Sequence, residues 1–368
     1  MMIETTWLTI DLRALRHNVQ QVRVKAPHAK VLAMAKANAY GHGLLDCAQV
    51  FQEEADAIGV ARLEEALALR TANIRCPILL LGTHLSLESI ELCAEKSIWI
   101  TVHSAQCLES LATYEAKRKT KPNQKQLVIW LKLNSGMNRL GLREGEFAQA
   151  HQRLLRFDCV AKIQHMTHFA SADTDLSSAE QQKTRLLNYS KSLGIFETSC
   201  ANSAGILRGL GQGSDWVRPG IMLYGADPLF SDIARPEHTT ANLKPVAHLF
   251  SRVLSVYEVN KGETVGYSGL WQADKNSKIA ILGIGYGDGY PRHAKSGCPV
   301  YINNTHCQLI GRVSMDLMAV DVSECAGVKA GDTAELWGEH IDANEVATYA
   351  DTISYTLFTG VTTRVTRI

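Results

Sequence analysis

Eight short apolar runs, each followed by a stretch of helix-like character, set the strongest limit on what this chain can fold into. They fall at residues 31–37, 57–61, 77–82, 98–103, 127–133, 162–170, 197–202 and 216–225. Several are continuous in their hydrophobicity and not alternating, as expected of strands buried on both faces of a parallel sheet. Between them, 63–72 and 87–94 carry apolar residues at a spacing of three to four, with charges in the gaps. Eight strands starting about 19 to 35 residues apart and alternating with helices predict an α/β fold whose N-terminal part is a (β/α)8 TIM-type barrel. An open doubly wound sheet is the alternative that the same pattern allows.

Beyond residue 235 the texture changes. Runs at 249–259, 278–283, 300–302, 308–313, 319–322 and 333–337 read as strands separated by Gly, Asn and Asp turn signals, and 343–350 is the one helical stretch there. The opening 6–11 is also strand-like. The expected organisation is an N-terminal strand within 1–10 joining the C-terminal domain, a barrel over 11–235, and a mostly β domain over 236–368. With Lys+Arg at 38 and Asp+Glu at 37, no bulk charge recruits nucleic acid or a membrane surface. No apolar run approaches the ~20 residues of a transmembrane helix. The first residues, Met1-Met2-Ile3-Glu4, lack the basic and apolar regions of a secretory leader. Nine cysteines lie scattered without a Cys-x-x-Cys pair, which is poor material for a disulfide framework. A soluble, cytoplasmic protein is expected.

Active sites of such barrels gather at the C-terminal strand ends. Lys36 ends the first run, ahead of the small-residue turn 37–43; burial there would depress its pKa and make its amine a nucleophile towards a carbonyl. The plainer reading is a lysine stem lying along apolar surface with its ammonium in water. The fifth run brings Lys132 and Arg139, the seventh Asn202 and Ser203, the eighth Arg218, Gly220 and Ile221. Hydroxyl and backbone donors at the last two strand ends suit a phosphate, although Asn-Ser also makes an ordinary helix N-cap. His165 and His168 suggest a metal, but on a strand they point to opposite faces and no third ligand stands at a recognisable spacing, so no metal is expected. In 283–289 Asp288 stands where a dinucleotide loop needs its third glycine, and the segment reads as a flexible turn.

Taken together, these segments resemble the alanine racemase family. The resemblance runs in order through 6–12, 35–43, 131–141, 166–170, 201–204, 217–225, 265–268, 285–292, 311–316 and 353–355, and so spans essentially the whole chain. The Lys36 segment, Ala35-Lys36-Ala37-Asn38-Ala39-Tyr40-Gly41-His42-Gly43, is the most specific. The resemblance implies a barrel followed by a β domain and a pyridoxal 5'-phosphate cofactor carried on the Lys36 amine. Lys36 and Tyr267 are then the two acid/base groups, one on each face, with Tyr267 reaching in from the second subunit of a homodimer. One base per face lets a proton leave on one side and return on the other without turning the substrate. The lysine is assigned to the D-enantiomer and the tyrosine to the L-enantiomer. Arg218 faces the pyridine nitrogen and is oriented by His168. Tyr40, Ser203, Gly220, Ile221 and Tyr355 hold the phosphate, with Asn202 beside them. Arg139 lies near the substrate carboxylate, and Met315 and Asp316 are lent by the partner subunit. Lys132 matches a lysine often N-carboxylated in the family.

Asn134 and Asn138 depart from the family pattern, where Asp and Gly or His are common, and put the tuning around Arg139 in doubt. The implied activity is interconversion of L- and D-alanine, supplying D-alanine for peptidoglycan. A racemase preferring serine or another small amino acid remains an alternative, since few pocket changes shift side-chain tolerance. A non-catalytic pyridoxal-phosphate carrier would end soon after residue 225. An unrelated sugar-phosphate barrel leaves Lys36, Arg218 and Tyr267 unexplained together, and a decarboxylase of this architecture would need a cysteine acid that has no matching context here.

Overall fold

The computed structural model describes residues 4–120, 125–195, 197–230 and 242–368. Strand β1 (Thr6–Ile10) runs into a helix, Leu12–Lys25, whose N-terminus is capped by Asp11 through the backbone N–H groups of Arg13 and Ala14. Eight parallel strands then close into a barrel: β2 (Lys30–Met34), β3 (Ala57–Val60), β4 (Ile78–Leu80), β5 (Ile98–Val102), β6 (Leu127–Lys132), β7 (Val160–Met166), β8 (Thr198–Ser199) and β9 (Trp216–Val217). Pairing of β2 with β9 completes the ring and rules out the open sheet. The predicted helices at 63–72 and 87–94 form as Leu63–Thr71 and Leu87–Glu95. Every residue of β3 and β4 is buried, as their unbroken apolar runs require.

Each barrel strand ends before its apolar run does, and three of these early ends position site residues. The first ends at Met34, so Lys36 stands beyond it in a tight turn. The sixth ends at Met166, leaving His168 in the following loop, and the eighth stops at Val217, after which Ile221–Tyr224 winds into a 3-10 helix. After Val217 the chain stays apolar because it is buried, not because it is extended.

The rest of the chain is mostly antiparallel sheet, built from β10 (Ala247–Val259), β13 (Ser277–Leu282), β14 (Pro299–Ile302), β15 (Thr305–Ile310), β16 (Met318–Asp321) and β17 (Thr333–Trp337), with a short β11–β12 ribbon (Thr264–Val265 and Trp271–Gln272). The long β10 pairs with β17, with β13 and with β1, and β18 (Thr366–Arg367) adds to β1 in parallel. Strand β1 thus lies in the same sheet as β10 and β17. The predicted helix forms as Ala343–Tyr349. A second, Ser354–Gly360, escapes the sequence reading and carries Tyr355 towards the barrel mouth. The expected 235/236 domain boundary lies outside the described residues. Among the described residues no helix is long and apolar enough to cross a membrane, and all nine cysteines are free.

Candidate active site

The C-terminal ends of the barrel strands enclose a cavity of about 420 Å³, within the size range of small-molecule sites. Lys36, Tyr40, Lys132, Arg139, His168, Asn202, Ser203, Arg218, Gly220 and Tyr355 all line it. Ten of the residues singled out by the sequence therefore converge. Tyr267, Met315 and Asp316 do not: they lie on the C-terminal domain, where Tyr267 is 67% and Met315 52% exposed. Ile221 is fully buried behind Gly220.

The turn after β2 is the most unusual backbone in the molecule. Ala37, Asn38, Ala39 and Tyr40 all have φ between 52° and 55°, a left-handed turn of four consecutive non-glycine residues. Each costs about 1–2 kcal/mol relative to the right-handed form. The turn persists because its surroundings over-determine it. Ala39 N–H donates to the Ala35 carbonyl, Gly41 N–H to Ala37, and Gly43 N–H to Asn38. His42 Nδ1 donates to the carbonyls of Tyr40 at 2.9 Å and Ala39 at 3.2 Å. Gly41 continues the turn at φ 84°, and a Cβ there would stand 2.1 Å from the Phe358 carbonyl oxygen. The Tyr40 ring stacks on Tyr224 at 4.8 Å and meets Tyr355 at 5.8 Å. Tyr224 in turn donates its hydroxyl to the Met34 carbonyl at 2.8 Å.

Arg218 is wholly buried and points its guanidinium at acceptors from two neighbouring strands. It donates to Ser199 Oγ, to the Thr167 carbonyl and to the Cys200 carbonyl, with His168 Nδ1 3.4 Å away. The firmest anchors are thus Ser199 and Thr167, which the sequence reading did not single out; the His168 contact is the longest. Arg218 offers only donors, so His168 Nδ1 must be an acceptor. Burial and the surrounding Arg218, Lys132, Arg139 and Lys36 push the His168 pKa far down and keep the ring neutral. Burial lowers the Arg218 pKa to about 10, which leaves it charged at neutrality. His165 lies elsewhere, bonded to His151 at 3.1 Å and to Ser190 Oγ at 2.9 Å, so the two histidines do not meet.

Electrostatically the cavity is an anion trap. Lys36, Lys132, Arg139 and Arg218 all face it, and no Asp or Glu lines it among the described residues. Burial, then Arg218, Arg139 and Lys36, lower the Lys132 pKa to about 8. Burial and Arg139 lower that of Lys36, against a raising influence from Glu65. Burial raises the phenol of Tyr40, assisted by Tyr355, and pushes that of Tyr355 up to about 12, so both remain hydrogen-bond donors. Ser203 Oγ accepts from the N–H groups of Gly220 at 2.8 Å and Met222 at 3.3 Å, while Asn202 caps the helix Ser203–Leu207 through Gly205 N–H. A Cβ on Gly220 would come within 2.4 Å of Tyr40 Oη, so glycine is what leaves that hydroxyl its place.

This donor set fits a dianionic phosphate ester with an aldehyde: cations without a competing carboxylate, two protonated phenols, and a lysine whose pKa burial and Arg139 lower. The fold and cavity define a pyridoxal-phosphate-dependent amino-acid isomerase of the barrel-plus-β-domain type. The family models for the N-terminal and C-terminal domains of alanine racemase match residues 10–228 and 246–368. The chain belongs to the alanine racemase family. A catabolic alanine racemase of Pseudomonas putida is 43% identical over 349 residues, 95% of this chain and 94% of that one. The biosynthetic alanine racemase of Pseudomonas aeruginosa superposes with a TM-score of 0.91 at 36% identity, covering 99% of both chains. An alanine racemase of Bartonella henselae with covalently bound pyridoxal phosphate gives 0.86 at 29%, again over 99% of each.

The glycine-rich 283–289 segment corrects an expectation. It is no slack turn. The N–H groups of Tyr286 and Gly287 donate to the carbonyls of Ser314 and Met315 at 3.0 and 2.8 Å, and a Cβ on Gly285 would meet those carbonyls at 2.3 Å. The segment is a mould for the exposed Met315–Asp316 stretch, whose Asp316 is further held by Arg364 at 2.7 Å.

Proposed function

We propose that this chain interconverts L-alanine and D-alanine by proton transfer on both faces of the substrate, with active sites shared between the two subunits of a homodimer. The observation that carries this reading is the cavity itself: Lys36, with a depressed pKa, among three further cations and no lining carboxylate. When bound, pyridoxal phosphate supplies the carbonyl that captures the substrate amine and the conjugated ring that delocalises the charge left at Cα. Tyr40, Ser203, Gly220, Ile221 and Tyr355 hold the phosphate, beside Asn202. Lys36 removes or returns the Cα proton on one face and serves the D-enantiomer. Tyr267 of the second copy does so on the other and serves the L-enantiomer.

Arg218 directs the outcome. A group that only donates and stays charged gives the ring nitrogen a hydrogen bond but no proton. Arg218 would thereby limit the charge that a bound ring draws from Cα and favour return of the proton to Cα. Arg139 binds the substrate carboxylate, and Met315 and Asp316 of the second copy close the pocket. Dimerisation is supported by the C-terminal domain, where Tyr267, Leu270, Met315 and Leu317 are exposed large side chains that a monomer has no reason to present.

Lys132 carries an N-carboxylate in this reading. Its neutral amine attacks carbon dioxide, the N–C bond forms and a proton leaves, so a cation crowding Arg139 and Arg218 becomes their anionic partner. A carbamate signal from 13C-labelled bicarbonate that is absent in Lys132→Ala tests this; no signal in the unmodified protein contradicts it. The division into a 1–10 strand, an 11–235 barrel and a 236–368 β domain belongs to the same proposal. So do supply of D-alanine for peptidoglycan and a cytoplasmic site of action, the last supported by nine unpaired thiols.

The test is a chiral assay of L-alanine and L-serine with the cofactor-loaded protein. Formation of D-alanine, faster than D-serine and falling by about 10⁴-fold or more in Lys36→Ala, is expected. Faster turnover of serine would overturn the substrate, and turnover of neither would overturn the activity.

A further inference from the structure

Glu65 was not among the residues the sequence singled out, yet it touches the turn that carries Lys36. It lies in the first turn of the helix Leu63–Thr71, after β3. One carboxylate oxygen, Oε2, accepts from the N–H groups of Ala61 at 3.0 Å and Arg62 at 3.1 Å. The other, Oε1, reaches across to the neighbouring strand end and accepts from Asn38 N–H at 3.3 Å. Asn38 is the second residue of the left-handed turn, and its own side chain caps the next helix, Oδ1 accepting from Leu44 N–H at 2.8 Å. A single carboxylate thus staples the Lys36–Tyr40 turn to the Ala61 loop, which itself lines the cavity.

We propose that Glu65 is a positioning residue for Lys36: its carboxylate clamps the strained turn that presents the amine and sets a negative charge against that turn. The inference rests on the role given to Lys36 above. The charged and titratable groups facing Lys36 are Arg139 and Lys132 from the β6 strand and its loop, His168 after β7, the Tyr40 ring 5.9 Å from Nζ, and Glu65. His168 is neutral, and Arg139 and the uncarboxylated Lys132 are cations. With Lys132 uncarboxylated, as in bicarbonate-free buffer, Glu65 alone of this group opposes burial. An amine that takes a proton from Cα and gives it back needs a basicity between the two extremes, and Glu65 acts against the lowering by burial and Arg139.

The test reads Lys36 itself. The full chain, freed of cofactor, is labelled with acetic anhydride across neutral to alkaline pH, and Lys36 acetylation is followed by peptide mass spectrometry. Glu65→Gln keeps a helix-capping side chain but removes the charge. Its labelling midpoint should fall to lower pH, with a several-fold rise in acetylation at neutrality. Glu65→Asp withdraws the charge by one methylene and should shift the midpoint the same way by less. Asn38→Ala, which slackens the turn without touching a charge, should leave the midpoint in place. An unchanged midpoint in Glu65→Gln, or in Glu65→Asp should the former not fold, overturns the proposal. Turnover of L-alanine by the unmodified, cofactor-loaded protein, and its loss in Lys36→Ala, judges the role of Lys36 separately.

Discussion

In the proposed reaction the barrel mouth and the exposed face of the C-terminal domain supply complementary groups in opposite physical states. At the barrel mouth Lys36, Lys132, Arg139 and Arg218 line one cavity, where burial lowers the pKa values of Lys36, Lys132 and Arg218. On the C-terminal domain Tyr267 and Met315 stand in solvent on a short turn and a moulded loop. In the proposed dimer the difference is a division of labour: one protomer preassembles the electrostatics, while the group for the second face waits at a surface for another copy to meet. Substitutions in the two regions should therefore fail in different ways.

The largest divergence is expected at Tyr267. Tyr267→Phe should reduce racemisation by about 10²–10⁴-fold, the usual value of a positioned acid or base, while thermal melting of the isolated chain moves by less than about 0.5 kcal/mol because the side chain is exposed. A comparable loss of stability would break the contrast. Arg218→Ala should behave in the opposite sense. It strands Ser199 Oγ and the carbonyls of Thr167 and Cys200 in a buried site, and should cost about 2–4 kcal/mol in urea denaturation.

The smallest effect is a matter of pH. The folded Lys132 pKa of about 8 lies below the ~10.4 of an unfolded lysine. Below pH 8 the side chain is charged in both states and its burial opposes folding in full. Between about 8 and 10.4 the folded chain releases its proton first, and the penalty fades as pH rises. In bicarbonate-free buffer the cofactor-free protein should gain stability across that window, and Lys132→Met should stabilise most at neutrality and least at the alkaline end. Urea melts at several pH values check the sign; a benefit that grows with pH would contradict it.

The barrel was legible because burial on both faces writes an unbroken apolar run, and eight of those at regular intervals admit few folds. The same signal overshot at 162–170 and 216–225, where the chain remains buried after it ceases to be a strand. The helix Ser354–Gly360 was missed because Thr and aromatic residues carry little helical propensity and the helix is held by packing. The cavity residues were legible through their place at strand ends and through family resemblance. Ser199, Thr167 and Glu65 were not, since each acts on another residue. Glu65 reads from sequence as one more charge in a helix's first turn, and nothing local announces that Asn38 folds back to meet it. A left-handed turn of Ala, Asn, Ala and Tyr is likewise invisible to propensity, because its cause lies in the adjacent His42 and in Phe358 and Glu65, the last two brought to it only by the fold.

The division of labour between the two regions is tested most directly by mixing two inactive proteins. Lys36→Ala and Tyr267→Phe chains, unfolded together and refolded with pyridoxal phosphate, form heterodimers in which one site takes both lesions and the other takes neither. Shared sites predict recovery of roughly a quarter of the unmodified turnover from a statistical mixture of symmetric dimers. A mixture no more active than either variant alone would mean that each chain completes its own site, and would contradict the account.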